Sequence, residues 1–274
     1  MTQKKEKSSS QASPSTFQSP KGMHDILPQE QYSWNLVRDA VRRIADQYHF
    51  ARIDTTLLED ARLFEASLGA SSDVVERQMF ALRTKGDDGL VLRPEGTASV
   101  ARAYIQHGLS QLPKPLRLYY IGPMFRYEQP QAGRFRQFHQ AGFEILGGGD
   151  DPIYDVQAIL VAYRLLESLR LTKLLVKLNS IGCKTCRLMY RKKLVDFYKN
   201  RNSQTAAICK DCERRLAVNP LRLLDCKQPA CIEIRKDAPI SLNSICAYCK
   251  AHFKCVLEYL DELQLPYTLD HYLV

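Results

Sequence analysis

Five polar residues, Arg126, Glu128, Arg136, Gln140 and Glu144, fall within one stretch, RLYYIGPMFRYEQPQAGRFRQFHQAGFEILG, from Arg117 to Gly147. Guanidinium groups suit phosphates and carboxylates, whereas amides and carboxylates suit ammonium groups and imidazole N–H donors. The stretch reads as two strands, Arg117–Tyr127 and Arg136–Leu146, joined by a loop with Pro130 and Gly133. Alternate strand residues share a face, so Arg136, Gln140 and Glu144 project one way and Phe143 and Ile145 the other. At about 3.3 Å per residue, Gln140 and Glu144 stand roughly 13 Å apart on that polar face. Such a face is too polar for a core; the competing reading is an outer face in water.

The cysteines form a second chemical group. All nine lie at Cys183 or later, as the pairs Cys183/Cys186, Cys209/Cys212, Cys226/Cys231 and Cys246/Cys249, with Cys255 left over. In a chain without an export signal, repeated CxxC pairs favour Zn2+ over disulfides, and eight thiolates suffice for two tetrahedral sites. Cys249 also shares a helical stripe with Phe253, Val256, Leu260 and Leu263, where it reads as a small core residue. Two zinc sites, one site, or reduced thiols all fit the pattern, and spacing does not fix which pairs combine. The same segment is basic: Cys183 to Cys255 holds 16 Lys+Arg against 6 Asp+Glu, the remainder 23 against 24. A block of that sign fits a polyanion partner such as nucleic acid, or a solvated basic face.

Elements that position these residues are legible on either side. Of 274 residues, 45% are hydrophobic and 25% charged, the composition of a globular chain of one large domain or two smaller ones. No run approaches 18 apolar residues, so no membrane span is expected. Residues 1–20 are polar, read as a disordered tail, and lack a secretory apolar segment, which makes the cytoplasm the default location. Glu30–Phe50 reads as a helix burying Trp34, Val37, Val41, Ile44 and Tyr48, followed by a strand over Arg52–Glu59. LVLR (Leu90–Arg93) reads as a short strand running into Pro94, Glu95, Gly96 and Thr97. Thr97 can cap a helix whose Val100, Ala101, Tyr104 and Ile105 face inward and which Gly108 ends. Gly147–Asp151 is a turn rather than a phosphate loop, because no Lys-Ser/Thr follows. Asp151 and Pro152 then start a helix to about Arg170, burying Ile153, Val156, Ile159, Leu160 and Tyr163, with a strand at Leu174–Leu178.

MFRYEQPQAGRFRQFHQAGFEILG resembles motif 2 of class II aminoacyl-tRNA synthetases, in the form used by histidyl-tRNA synthetases. KGMHDILP (Lys21–Pro28), LRPEGTASVARA (Leu92–Ala103), LNSIGC and NPLRLLDCK resemble further blocks of that family in the same order, so the likeness covers about residues 20–274. It implies an α+β fold, a class II antiparallel sheet flanked by helices, with a smaller, mainly helical, Cys-rich inserted domain. The implied division is a tail over 1–20, a catalytic core over 21–182, the insertion over 183–265 and a return to the core over 266–274.

The implied reaction joins histidine to ATP as histidyl-adenylate, then to tRNA(His), in a homodimeric ligase whose ATP carries Mg2+. Arg126 matches the motif 2 arginine that holds the α-phosphate and the histidine carboxylate. Glu128, Arg134 and Arg136 would join it around ATP, Glu95, Thr97 and Gln140 would hold the α-ammonium group, and Glu144 the imidazole. Thr56 stands where the family has a proline at its dimer-forming motif 1, and the family does not require the cysteines. The family also places an RGLDYY-like segment directly after its match to YLV, whereas this sequence stops at Val274, without motif 3 or the anticodon-binding domain. The resemblance thus implies the N-terminal portion of a synthetase, with slight activity alone. The alternative is a non-catalytic, synthetase-like protein that binds RNA or regulates another enzyme, as in histidine biosynthesis.

Overall fold

A computed structural model describes residues 17–69, 72–86, 88–201 and 208–274. Of the tail expected over 1–20, the part up to residue 16 lies outside the described residues, and 17–20 are exposed and irregular. Helix α1 (Gln31–Gln47) buries Ala40, Val41, Ile44 and Ala45 at helical spacing, while Val37, expected on that stripe, is 38% exposed.

The strand expected over Arg52–Glu59 is broken in two, β1 (Ala51–Arg52) and β2 (Leu58–Asp60). The cause is a buried guanidinium between them. Arg93 donates to the Thr55 carbonyl and hydroxyl, both at 2.9 Å, and to the Pro123 carbonyl at 3.1 Å. The chain passes around that side chain from the sheet of β1 to the sheet of β2.

After α2 (Ala61–Leu68) come β3 (Phe80–Arg83) and β4 (Gly89–Leu92), which complete an antiparallel sheet of order β2-β4-β3. Helix α3 (Thr97–Gln106) precedes the long hairpin of β5 (Leu116–Phe125) and β6 (Gln137–Leu146). These two strands pair antiparallel from Phe125 opposite Gln137 to Leu116 opposite Leu146, and β1 adds in parallel to β5. Helix α4 (Pro152–Ser168) starts as expected, Asp151 accepting from the Ile153 N–H, but its buried residues are Val156 and Val161, and Ile153 is 42% exposed.

Both faces of the hairpin sheet are covered. On one, Tyr119, Phe143 and Ile145 pack with Val41 and Ile44 of α1 and Val161 of α4. On the other, Leu118, Tyr120, Met124 and Phe138 pack with Val100 of α3. The architecture is α+β.

The chain leaves this body through β7 (Val176–Leu178) and returns in parallel beside it as β8 (Tyr267–Leu269). Between them, α5 (Lys184–Arg201), α6 (Lys210–Val218) and α7 (Pro229–Arg235) enclose a core of their own around Tyr190, Leu194, Tyr198, Leu223 and Leu224. Helix α8 (Ala247–Glu262) instead lies against α4, through Val256 and Leu260. No helix among the described residues is long and apolar enough to cross a membrane.

Candidate active site

The register of the hairpin sets Gly122 opposite Gln140 and Leu118 opposite Glu144. The polar face on which these residues lie is not an open one. Thr97 at the start of α3 donates from its hydroxyl to Glu144 Oε1 at 2.8 Å. Burial pushes the Glu144 carboxyl above its ordinary range, opposed by the Thr97 hydrogen bond. Gln140 Oε1 is buried and has no hydrogen-bond partner among the described residues, an acceptor open to a donor from outside the protein.

Thr97 is not the cap of α3 that its position predicts. Glu95, 9% exposed, accepts from the Thr97 N–H at 2.6 Å and the Ala98 N–H at 2.8 Å. A carboxylate satisfies two free amides and meets the positive end of the helix dipole, which releases the threonine hydroxyl for Glu144. Ile105, expected to face inward, is 77% exposed.

Beneath these groups lies the ring of Tyr120, buried and with its hydroxyl pushed up to about 12, first by burial and then by the Glu144 carboxylate. The ring is pinched between two backbones. A Cβ added at Gly96 or at Gly142 would stand 2.2 Å from Tyr120 Cζ, so neither position accepts a side chain while the ring is there. A glycine inside a strand marks such a close approach, and Gly142 was the available signal for Tyr120.

Arg126 leaves the end of β5 and is held by its Nε, which donates to the Pro94 carbonyl at 2.9 Å, with its guanidinium 5.3 Å from the Phe138 ring centre. It opens onto a cleft of about 860 Å3, shared with Glu128, Arg134 and Phe135 of the loop and with Asn219 and Arg222 of the α5–α7 body. Arg134 lies 3.9 Å from Glu128. Arg136 does not line this cleft: it donates to the Glu128 carbonyl at 3.1 Å and stacks 3.9 Å from the Tyr127 ring centre. Gly22, at φ +80°, presses against Pro130 and accepts the Arg136 N–H, so the segment after the tail braces the hairpin loop. Glu95, Thr97, Gln140 and Glu144 do not line this cleft; Glu95, Thr97 and Glu144 are joined by hydrogen bonds, and Gln140 lies on the Glu144 face of β6.

Two groupings had no counterpart in the sequence reading. Across the cleft, Arg222 donates to Asp73, with Arg215 also 3.9 Å from that carboxylate. Asp73 is held below the usual carboxylate range by the Arg222 hydrogen bond. Beside β2, the Thr56 hydroxyl donates to Glu59 at 2.9 Å and accepts from Arg102 at 3.2 Å, while Arg102 and Glu59 pair at 2.5 Å. Glu59 is only 7% exposed. A proline at position 56 has no hydroxyl to offer this network.

The cysteines gather as two sets of four. Cys183, Cys186, Cys246 and Cys249 form one set, Cys209, Cys212, Cys226 and Cys231 the other, with all sulfur atoms of a set within 4.8 Å of one another.

These features can be compared with known proteins. A family model described as Histidyl-tRNA synthetase matches residues 22–186. The chain belongs to the histidyl-tRNA synthetase family. The matched region includes every residue of the polar face and of the hairpin side of the cleft. "Histidine--tRNA ligase" of Desulfitobacterium hafniense is 44% identical over 258 residues, which are 94% of this chain and 60% of that protein. The ligase of the same description from Desulforamulus reducens is 41% identical over 255 residues. The apo histidyl-tRNA synthetase of S. aureus superposes with a TM-score of 0.74 at 32% identity, covering 94% of this chain and 58% of its own. A Bacillus halodurans protein described as an ATP phosphoribosyltransferase regulatory subunit/histidyl-tRNA synthetase shares the fold, with a TM-score of 0.65 at 23% identity. The chain spans about 60% of the length of the curated relatives it matches.

Proposed function

We propose that this chain carries the histidine- and ATP-binding part of a histidine–tRNA ligase. The observation that carries the reading is the Gln140 acceptor, unpartnered among the described residues, on the same strand face as the Glu144 carboxylate that Thr97 holds, in the hairpin whose Arg126 opens onto a cleft. Arg126 would bind the α-phosphate of ATP and the histidine carboxylate, with Glu128 and Arg134 around the nucleotide and Arg136 holding the loop through the Glu128 carbonyl rather than lining the cleft. Glu95, Thr97 and Gln140 would receive the α-ammonium group, and Glu144 the imidazole N–H. A carboxylate oxygen of histidine attacks the α-phosphorus, the bond to the β-phosphate oxygen breaks, and pyrophosphate leaves. A ribose hydroxyl at the 3′ end of tRNA(His) then attacks the acyl carbon, and AMP leaves. Alignment and charge neutralisation account for this chemistry without a protein nucleophile. Mg2+ would travel on the phosphate oxygens.

The α5–α7 body would be the inserted domain that meets the tRNA, since its basic residues, among them Lys184, Arg187, Lys192 and Lys193 on α5, are exposed. Its two cysteine sets would hold Zn2+, the ion suited to four thiolates. Exposed Leu57, Leu58 and Ile105 support a homodimer formed on that side, and the substrates are those of the cytoplasm.

Histidine-dependent ATP–pyrophosphate exchange is the test, run on this chain alone and joined to the C-terminal remainder of a relative. Exchange by the joined protein, abolished in Arg126→Ala, is expected. No exchange, with histidine and ATP unbound in calorimetry, overturns the reading in favour of a regulatory protein. tRNA binding should weaken steeply with salt, because it rests on phosphate contacts.

A further inference from the structure

We infer that the two cysteine sets are zinc sites of unequal work: the set of Cys183, Cys186, Cys246 and Cys249 clasps together the two roots of the inserted domain, while the other set builds that domain's core. The inference rests on zinc as the occupant and extends it to what each ion does.

Geometry excludes the covalent alternative. The sulfurs of Cys183 and Cys186 lie 3.6 Å apart, and those of Cys209 and Cys226 3.9 Å apart. A disulfide needs about 2.05 Å. A tetrahedral zinc with bonds of about 2.3 Å to sulfur needs sulfur–sulfur edges of about 3.8 Å. The observed distances bracket that edge. The backbone is also turned toward the sulfurs: the Cys183 N–H donates to Cys249 Sγ at 3.2 Å, and the Cys246 N–H to Cys186 Sγ at 3.0 Å. In the other set the Cys209 N–H donates to Cys231 Sγ at 3.3 Å. Amides aimed at sulfur offset the charge that four thiolates carry around a divalent ion.

Position separates the two sites. Cys209, Cys212, Cys226 and Cys231 all come from within the inserted domain, and Cys212, Cys226 and Cys231 belong to its main apolar core with Tyr190 and Leu223. In the other set, Cys183 and Cys186 stand on the limb that leaves β7, and Cys246 and Cys249 on the limb that returns through α8 to β8. Cys183 and Cys246 are exposed, and the small cluster around them contains only Cys186, Ile245, Cys249 and Leu242. Other ties from the inserted domain to the hairpin side include the ion pairs of Arg222 and Arg215 with Asp73 and of Arg214 with Glu76, partly exposed contacts of small worth in water. Farther in, the β7–β8 ladder and the packing of Val256 and Leu260 with Leu178 already join the two limbs. A bound ion adds a tie at the mouth of the inserted domain, and it is the one a chelator or oxidant can reach.

Elemental analysis of the full chain, purified without chelator, should find about two zinc ions, as two four-thiolate sites require. On adding a chelator, one ion should leave early and one late, read with a chromogenic zinc indicator. Cys246→Ser should keep about one ion, now only the slow one, whereas Cys255→Ser should keep both. Cobalt exchanged into Cys246→Ser should still show the absorption of a tetrahedral tetrathiolate. Limited proteolysis after the early release should cut near residues 179–183 and 244–246 while leaving a resistant fragment that spans α5 to α7. Fewer than about one zinc per chain overturns both the occupant and the division of work. Two ions leaving in one phase, or Cys246→Ser losing both, overturns the division alone. A chain cut equally fast with and without the outer ion shows that it does not clasp the roots.

Discussion

The hydroxyl of Thr97 and the carboxylate of Glu144, 47 positions apart in sequence, meet at 2.8 Å and join the first turn of α3 to the far end of β6. The bond occupies one lone pair of one carboxylate oxygen and orients the group. Glu144 is thus fixed in direction before any ligand arrives, and its other oxygen remains an acceptor.

In the protein joined to the C-terminal remainder of a relative, replacing Glu144 by Gln should raise the KM for histidine about 10- to 100-fold, the loss expected of a hydrogen bond to a charged group. ATP affinity should change little, because Arg126 and the cleft stand apart from this carboxylate. Exchange kinetics with each substrate varied in turn measure both. An unchanged histidine KM with a raised ATP KM would mean that Glu144 does not face the amino acid.

The same carboxyl makes a pH prediction. Its folded pKa is raised by burial, so the stability it contributes is present below the ordinary carboxylate range and lost as pH rises through the raised value. Once ionised, the half-buried group weakens the fold. Glu144→Gln should therefore raise Tm at pH 8 more than at pH 4.5, while weakening histidine binding at pH 8. Thermal unfolding at the two pH values, with and without histidine, reads both effects.

Gly142→Ala should cost about 1–3 kcal/mol of stability through overpacking against Tyr120. Adding Tyr120→Leu should recover part of that loss, because the ring is the obstacle. Denaturant unfolding of the single and double variants measures the coupling, and simple additivity would show that the ring is not what excludes the methyl group.

Arg102→Met should destabilise by about 3 kcal/mol, since it leaves the buried Glu59 with the Thr56 hydroxyl alone. Arg102→Met with Glu59→Gln should be milder than Arg102→Met, as the uncompensated charge is then gone. Equal losses in the two variants would place the stabilisation in packing of the arginine stem instead.

Much of this was legible in the sequence, and the exceptions share a cause. The hairpin appeared with its register of faces because alternation on a strand is a local property, seen in Phe143 and Ile145 against Gln140 and Glu144. Helix α4 announced its start through Asp151 and Pro152 for the same reason. The partners of side chains did not appear. Glu95 caps α3 in place of Thr97, and the freed hydroxyl meets Glu144 from far along the chain. Arg93 breaks the strand after β1 because Thr55 and Pro123 converge on it in three dimensions. The cysteine pairs were visible as pairs, but their grouping into fours followed from the return of the chain beside β7. Local chemistry is written in spacing; which groups meet is decided by the path between them.

Asp73 gives the cleft an internal counter-ion. Its carboxylate neutralises Arg222 across the gap, so the protein meets an incoming phosphate with cations already engaged. Capture of a polyanion by this arginine is therefore an exchange of partners, and its driving force is the difference between two ion pairs rather than the whole of one. Such a balance favours ligands with several charges over single anions such as chloride. A phosphate chain bound as proposed would take Arg222 from Asp73, in the segment before β3, and so loosen the inserted domain in the act of binding.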